Sequence, residues 1–252
     1  MTDIEADYLI IGGGIVGLTL ANQLKEKFPN KKISIIDKES SVGLHSSGRN
    51  SGILHAGIYY PPNTLKANLC ISGAKRLISW VKNENLPIME CGKVISPQNQ
   101  DLDDQIDLLY QRGKSNGCKV EVINQMKFNQ LVPFGRTASG RALWSPNTCV
   151  VSPLKIVNRL FDNLKSAGVY FYMGQKIAHV DIENNIITLK SSSNIHNSPL
   201  NISYKYLFNC AGLQSDRVAR LFGIGKQYSL IPFKGIYWKL DPNLEMNISC
   251  NL

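Results

Sequence analysis

The stretch "DYLIIGGGIVGLTLANQLKEKF", from Asp7 to Phe28, constrains the fold more than any other part of the chain. Tyr8 to Ile11 is a short uninterrupted apolar run, as in a strand buried on both faces, and it stops at Gly12-Gly13-Gly14. From Ile15 the spacing becomes that of a helix, with charges in its last turn. After the loop "PNKK", a second apolar run, "ISIIDK", ends at Asp37. Strand, helix and strand joined by short loops make a βαβ unit, with parallel strands and a right-handed crossover.

The glycines give that unit a chemistry. In Gly12-x-Gly14-x-x-Gly17, Gly12 permits the tight turn, Gly14 lets backbone approach a pyrophosphate, and Gly17 lets the helix pack against the strand. The phosphates would sit at the helix N-terminus. A glycine-rich turn alone can be purely structural. Asp37, 23 positions beyond Gly14, adds a carboxylate where ribose hydroxyls would lie. The pair predicts a dinucleotide site. The acid disfavours NADP and leaves NAD and FAD open.

Composition narrows the alternatives. With 252 residues, 43% of them hydrophobic, the chain can build one large domain or two smaller ones. Net charge is +9, but Lys and Arg are scattered, with no basic run interleaved with aromatics. That excludes a nucleic-acid groove and leaves a solubilising basic surface. Attraction to an anionic small substrate or to acidic lipid head groups is the weaker reading. The six cysteines form no CxxC pair, so neither a metal site nor a redox motif is expected. The uncharged run from Tyr8 to Leu24 is short for a membrane span, is broken by glycines, and follows Asp3, Glu5 and Asp7, the wrong sign for a secretory signal. A cytoplasmic chain with reduced thiols is expected.

Further along, "TLKANLCISGAKRLISWVKNENL" predicts a helix, open to interruption near Gly73. "GKVISP" and "GRALWSP" read as strands, and "DLDDQIDLLYQRGKSNG", "QMKFNQLVP" and "SPLKIVNRLFDNLKSAG" as helices. "VYFYMG", "KIAHVDIEN" and "NIITLKS" predict successive strands, and "SSSNIHNSPLNIS" the tip of a hairpin. "YKYLFNCAG" reads as a strand followed by the helix "SDRVARLFG", and "YSLIPFKGIYWKL" as a last strand. The nucleotide domain is expected over 1–88 and 148–225, interleaved with a substrate domain over 89–147 and 226–252.

The loop "HSSGRNSGILHAGIYY", His45 to Tyr60, fits neither period. Behind the N-terminal glycine motif it is followed in order by "CGKVISP", "ALWSPNTCVVSP", "NCAGLQSDRVARLFG" and "PFKGIYW". This order resembles the FAD-dependent D-amino-acid-oxidase-like superfamily, and within it the L-2-hydroxyglutarate oxidases/dehydrogenases. The resemblance covers nearly the whole chain. It implies an α/β architecture: a Rossmann-like FAD-binding domain with an interleaved, incomplete α+β substrate domain built on an antiparallel sheet. The implied activity is FAD-dependent oxidation of L-2-hydroxyglutarate, or a close 2-hydroxy acid, to 2-oxoglutarate, with electrons passed to oxygen or a quinone. Glycerol-3-phosphate and amino-acid oxidases are the neighbouring activities.

Carried over by position, Gly12, Gly14 and Gly17 would hold the FAD pyrophosphate and Asp37 the adenosine ribose. Lys38, His45, Ser46, Ser47, Asn50, Ser51 and Gly52 would line the pyrophosphate, ribityl chain and flavin edge. Ile177 would bring backbone to the adenine, and Ala211 and Gly212 would let the chain pass close to the cofactor. His55 is the catalytic candidate, because imidazole can take the hydroxyl proton near neutral pH. His179 and His196 read as structural. Tyr59, Tyr60, Lys66, Lys234 and Tyr237 are candidate donors to a small dicarboxylate.

The chain departs from the family pattern at Arg49, where histidine is common, and at Ser152, where aspartate is common. It also stops at "NLEMNISCNL", where the family continues into the rest of the substrate domain. The expectation is a fragment, a truncated gene or one half of a split enzyme. A separate chain supplying the missing part and peripheral contact with the inner membrane stay open as partners. A non-catalytic remnant that binds FAD weakly or not at all is the alternative of a different class.

Overall fold

The computed structural model describes residues 3–193, 198–236 and 248–252. In chain order the elements are β1 (Ile4–Ile11), α1 (Ile15–Lys27), β2 (Ile33–Asp37), β3 (Ile53–Leu54), α2 (Leu65–Asn83), β4 (Ile88–Met89), β5 (Lys93–Ile95), α3 (Asp104–Ser115), β6 (Glu121–Asn124), α4 (Gln125–Leu131), β7 (Arg141–Ser145), β8 (Cys149–Val151), α5 (Pro153–Ser166), β9 (Tyr170–Met173), β10 (Gln175–Asp181), β11 (Ile186–Ser191), β12 (Leu200–Asn209) and α6 (Ser215–Leu221).

They fall into two compact units. The first comprises Met1–Asn50 and Pro153–Ile236, the second Ser51–Ser152 and Tyr237–Leu252. The first crossing point therefore lies inside the His45–Tyr60 loop, not near residue 88. The reason is that α2 contacts β4 and so belongs with the second unit.

The first unit is built on a six-stranded sheet in the order β10-β11-β12-β1-β2-β9. β12, β1, β2 and β9 run parallel, while β10, β11 and β12 form an antiparallel meander. Leu9, Ile10, Ile33, Ile35 and Ile36 are buried although they alternate in direction, because both faces of the central strands are covered. On α5, Ile156, Val157, Leu160 and Leu164 are buried at helical spacing, and α5 packs beside α1. A cluster of Leu9, Ile11, Ile187, Leu189, Ile202 and Val218 joins the sheet to α6.

Asp7, midway along β1, ties that strand to β12 and to Lys32, the residue before β2. Its carboxylate accepts from the backbone N–H of Lys32 at 2.9 Å and from Lys205 Nζ at 2.7 Å. These bonds, the Lys205 contact first, hold its pKa at about 2.

The second unit contains two three-stranded antiparallel sheets, β3-β8-β4 and β5-β7-β6. Its core has two clusters. Val94, Ile123, Phe128, Val132 and Ala142 form one, and Ile58, Ile106 and Leu143 the other. Arg141 on β7 pairs with both Asp103 and Asp107, fixing the start of α3 against the sheet. α2 is continuous through Gly73.

The strand expected over "YSLIPFKGIYWKL" is not found: 228–236 is irregular and 237–240 lies outside the described residues. Within 228–236, Ile231, Phe233 and Ile236 are exposed.

Candidate functional site

In the first unit the glycine turn is as tight as its sequence requires. Gly12 has φ +113°, and a Cβ there would lie 2.3 Å from the Cys210 carbonyl oxygen. A Cβ on Gly17 would lie 2.0 Å from the Gly12 oxygen. The ends of β1 and β12 meet here, since the Cys210 N–H donates to Ile11 O at 2.8 Å. Cys210 and Ala211 therefore form one wall of the turn. Cys210 was missed from the sequence because its contribution is backbone.

Asp37 uses both carboxylate oxygens locally. Oδ2 accepts from the Gly13 N–H at 2.7 Å and Oδ1 from the Glu39 N–H at 2.9 Å. Ser47 Oγ accepts from the Ile15 N–H at 2.9 Å, and a Cβ on Gly14 would come 3.0 Å from that oxygen. The first turn of α1 carries no acid. A close-packed glycine turn, an acid-free helix N-terminus and a carboxylate at the end of β2 fit a dinucleotide pyrophosphate and ribose.

Lys38 and His45 are joined through Glu39, which the sequence reading passed over. His45 Nε2 lies 2.9 Å from Glu39 Oε1 and 3.1 Å from Lys38 Nζ, and Lys38 also pairs with Glu39. The Lys38 contact, then that of His45, lowers the Glu39 pKa to about 2, so this carboxylate is ionised throughout the physiological range. Ser46 offers its carbonyl to Asn50 Nδ2 at 3.0 Å, closing the turn that carries Ser47.

Ile177 lies beside the bulge of β10, with its side chain against the sheet core. Gly212, at φ +53°, opens a short 3-10 helix after Ala211, a conformation L side chains rarely adopt. Lys234 is exposed in irregular chain. Tyr237 lies outside the described residues.

The second unit gathers a different set. Ser51 Oγ accepts from the Ile53 N–H at 3.4 Å, and Gly52, at φ +70°, accepts from the Val151 N–H at 3.0 Å. The chain from His55 to Tyr60 is then held through its carbonyls. Cys70 Sγ donates to His55 O at 3.5 Å and Cys118 Sγ to Ala56 O at 2.7 Å. Asn116 Nδ2 donates to Gly57 O and Tyr60 O at 2.8 and 3.0 Å, and Arg112 Nη1 to Tyr59 O at 3.2 Å.

His55 is half-buried, and its Nδ1 is buried with no hydrogen-bond partner. Its ring meets that of Tyr59 edge-on. Burial first, and the charge of Lys93 second, lower its pKa below 6.5, which favours neutral imidazole. Lys66 Nζ stands 4.6 Å above the ring of Tyr60, and Lys93 Nζ 5.4 Å above that of Tyr59. His55, Tyr59 and Lys93 thus form one cluster. Lys93 was missed, although it is the one charged residue in the run "GKVISP".

All six cysteines are free thiols. Among the described residues no cluster of His, Cys, Asp or Glu could hold a metal ion, and no helix is long and apolar enough to cross a membrane.

Comparison with known proteins agrees with the turn geometry. Residues 7–250 match the model of the FAD dependent oxidoreductase (DAO) family. The chain is 34% identical over 249 residues to the mitochondrial L-2-hydroxyglutarate dehydrogenase of Caenorhabditis briggsae, covering 98% of this chain and 56% of that protein. It is 34% identical to the L-2-hydroxyglutarate dehydrogenase of Indibacter alkaliphilus, covering 96% and 59%. The chain thus spans little more than half the length of these curated relatives. Among solved structures, glycine oxidase from Geobacillus kaustophilus superposes with a TM-score of 0.76 at 16% identity, over 87% of this chain and 59% of that one. FAD-bound L-alpha-glycerophosphate oxidase from Mycoplasma pneumoniae gives 0.71 at 22%, over 86% and 56%. Glycine turn, sheet order and family match together place the chain in the DAO family of FAD-dependent oxidoreductases.

Proposed function

We propose that this chain takes part in oxidation of L-2-hydroxyglutarate, or a close 2-hydroxy acid, to 2-oxoglutarate, with His55 as the base. The observation that carries the reading is the buried, unpartnered Nδ1 of a half-buried histidine of lowered pKa. A buried acceptor without a partner is costly, and a substrate hydroxyl donating to it removes that cost. In the Nε2–H tautomer, the Nδ1 lone pair then takes the hydroxyl proton as the carbon is oxidised. When bound, FAD supplies the hydride acceptor and passes electrons on to oxygen or a quinone.

The residues proposed to hold FAD are Gly12, Gly14, Gly17, Asp37, Lys38, His45, Ser46, Ser47, Asn50, Ser51, Gly52, Ile177, Ala211 and Gly212. Tyr59, Tyr60, Lys66, Lys234 and Tyr237 remain the proposed donors to the dicarboxylate. The relatives' names support the choice of a 2-hydroxy acid.

The test is spectroscopic. The purified chain with FAD should show bound-flavin bands, and anaerobic L-2-hydroxyglutarate should bleach them while glycerol 3-phosphate and glycine do not. Bleaching by glycerol 3-phosphate or glycine alone would reassign the substrate, and the absence of bound flavin would remove the activity from this chain.

A further inference from the structure

Lys93 is fixed from several directions. At the start of β5 it pairs with Ser145 of β7 and forms a parallel bridge with Asn251 on the other side. The Val94 N–H donates to Asn251 O at 2.8 Å, and the Asn251 N–H to Gly92 O at 3.1 Å. Gly92, at φ +69°, lies against Trp144: a Cβ there would fall 2.1 Å from the indole ring. These contacts hold the backbone of the strand at Lys93 on both sides.

The Lys93 ammonium lies over the Tyr59 ring at 5.4 Å, and the residue is half-buried. Among the described residues, no carboxylate lies within ion-pair distance of it. A half-buried cation without a counter-ion favours an anion in its vicinity. Tyr59 also touches His55, whose Nδ1 lacks a partner. One aromatic side chain thus joins an unpaired cation to an unpaired acceptor. A 2-hydroxy acid carries the complement on adjacent carbons: a carboxylate and a hydroxyl.

We propose that Lys93 binds the carboxylate of a 2-hydroxy acid whose hydroxyl donates to His55, which makes it a substrate-binding and specificity-determining residue. This rests on the 2-hydroxy-acid reading above and names the group that selects for the acid. Among the described residues, the groups around His55 are Tyr59 from its own loop, against the ring, Cys70 from α2, at the backbone carbonyl, and Lys93 from β5. Lys93 is the charged one among them. It also favours the neutral imidazole.

The experiment uses the full chain with FAD, labelled with 13C at histidine, the His55 signal being assigned by its loss in His55→Ala. The probe is 2-oxoglutarate, with glycerol as the uncharged control. In wild type and Lys93→Arg, 2-oxoglutarate should shift the His55 signal and glycerol should not. In Lys93→Met, half-saturation should need at least about tenfold more 2-oxoglutarate, and the pH midpoint of His55 should rise. Lys93→Gln carries the same comparison if the Met variant does not fold.

Equal half-saturation in the neutral variants, or no response in wild type, overturns the inference. Bleaching of wild-type flavin by L-2-hydroxyglutarate separates the two readings. If bleaching occurs without a Lys93-dependent shift, the function stands and the Lys93 assignment falls. If the shift is Lys93-dependent but no 2-hydroxy acid bleaches the flavin, the carboxylate site stands and the proposed reaction falls.

Discussion

The imidazole of His55 meets the ring of Tyr59 edge-on, with centroids 5.3 Å apart. Lys93 Nζ lies 5.4 Å from the centroid of the same Tyr59 ring. Tyr59 therefore touches both an imidazole and a cation, all three side chains being half-buried. The protonation of His55 follows from that arrangement.

Burial and Lys93 both hold the His55 pKa below 6.5. With neutral imidazole as the proposed proton acceptor, flavin reduction by a 2-hydroxy acid should persist as pH falls through 6.5 and decline only below it. Anaerobic reduction rates from about pH 5 to about pH 8 check this; a midpoint above 6.5 contradicts it. The stability linkage has the same sign. The unfolded chain binds the proton more readily, so the contribution of His55 is complete above 6.5 and is lost as pH falls through the folded value.

Replacing His55 with Ala should leave flavin binding in place and slow reduction by at least about 100-fold, the usual loss on removing a general base. Stopped-flow bleaching measures it. An unchanged rate would remove His55 from the chemistry.

Gly12→Ala should destabilise the chain by about 2 kcal/mol or more, because the backbone is at φ +113° and the new methyl would meet Cys210 O at 2.3 Å. Gly73→Ala is the control. It sits inside α2 with nothing within 4 Å of the added Cβ, and should gain about 0.5–1 kcal/mol from reduced unfolded-state freedom. Urea unfolding distinguishes the two, and a loss at Gly73 equal to that at Gly12 would sink the steric account.

Asp7→Asn should lower the melting temperature at neutral pH by weakening the bond to Lys205 and the one to the Lys32 N–H. With a folded pKa of about 2 against an ordinary 3.8, the Asp7 contribution is complete above 3.8 and fades as pH falls through about 2. Melting curves of both proteins should therefore converge in acid. A gap that persists there would mean that the carboxylate charge is not the cause.

The βαβ unit was legible because its signals are local: an apolar run, a glycine turn, a helical period and a second run ending in Asp37. The continuity of α2 through Gly73 was less so, since a helix tolerates one glycine when its neighbours keep the period. The apolar residues of 228–240 predicted a strand, of which 228–236 is irregular, and composition cannot say whether a neighbouring strand exists to pair with.

Lys93 was hidden for a different reason. Its nearness to His55 depends on strand pairing within the second unit, and no short window of sequence contains both residues. Lys38 and His45 were each named, but Glu39, which binds both, was not. A carboxylate one residue past a lysine looks like an ordinary solvated pair.

The glycine turn has one further consequence. Gly13 and Ile15 already donate to Asp37 and Ser47, so the turn is wound by the chain's own side chains. If a phosphate binds at this helix end, as proposed, it would compete with a serine hydroxyl instead of ordering a slack loop. Little conformational entropy would then be lost on association, leaving the quality of the exchanged hydrogen bonds to set the affinity of the proposed site.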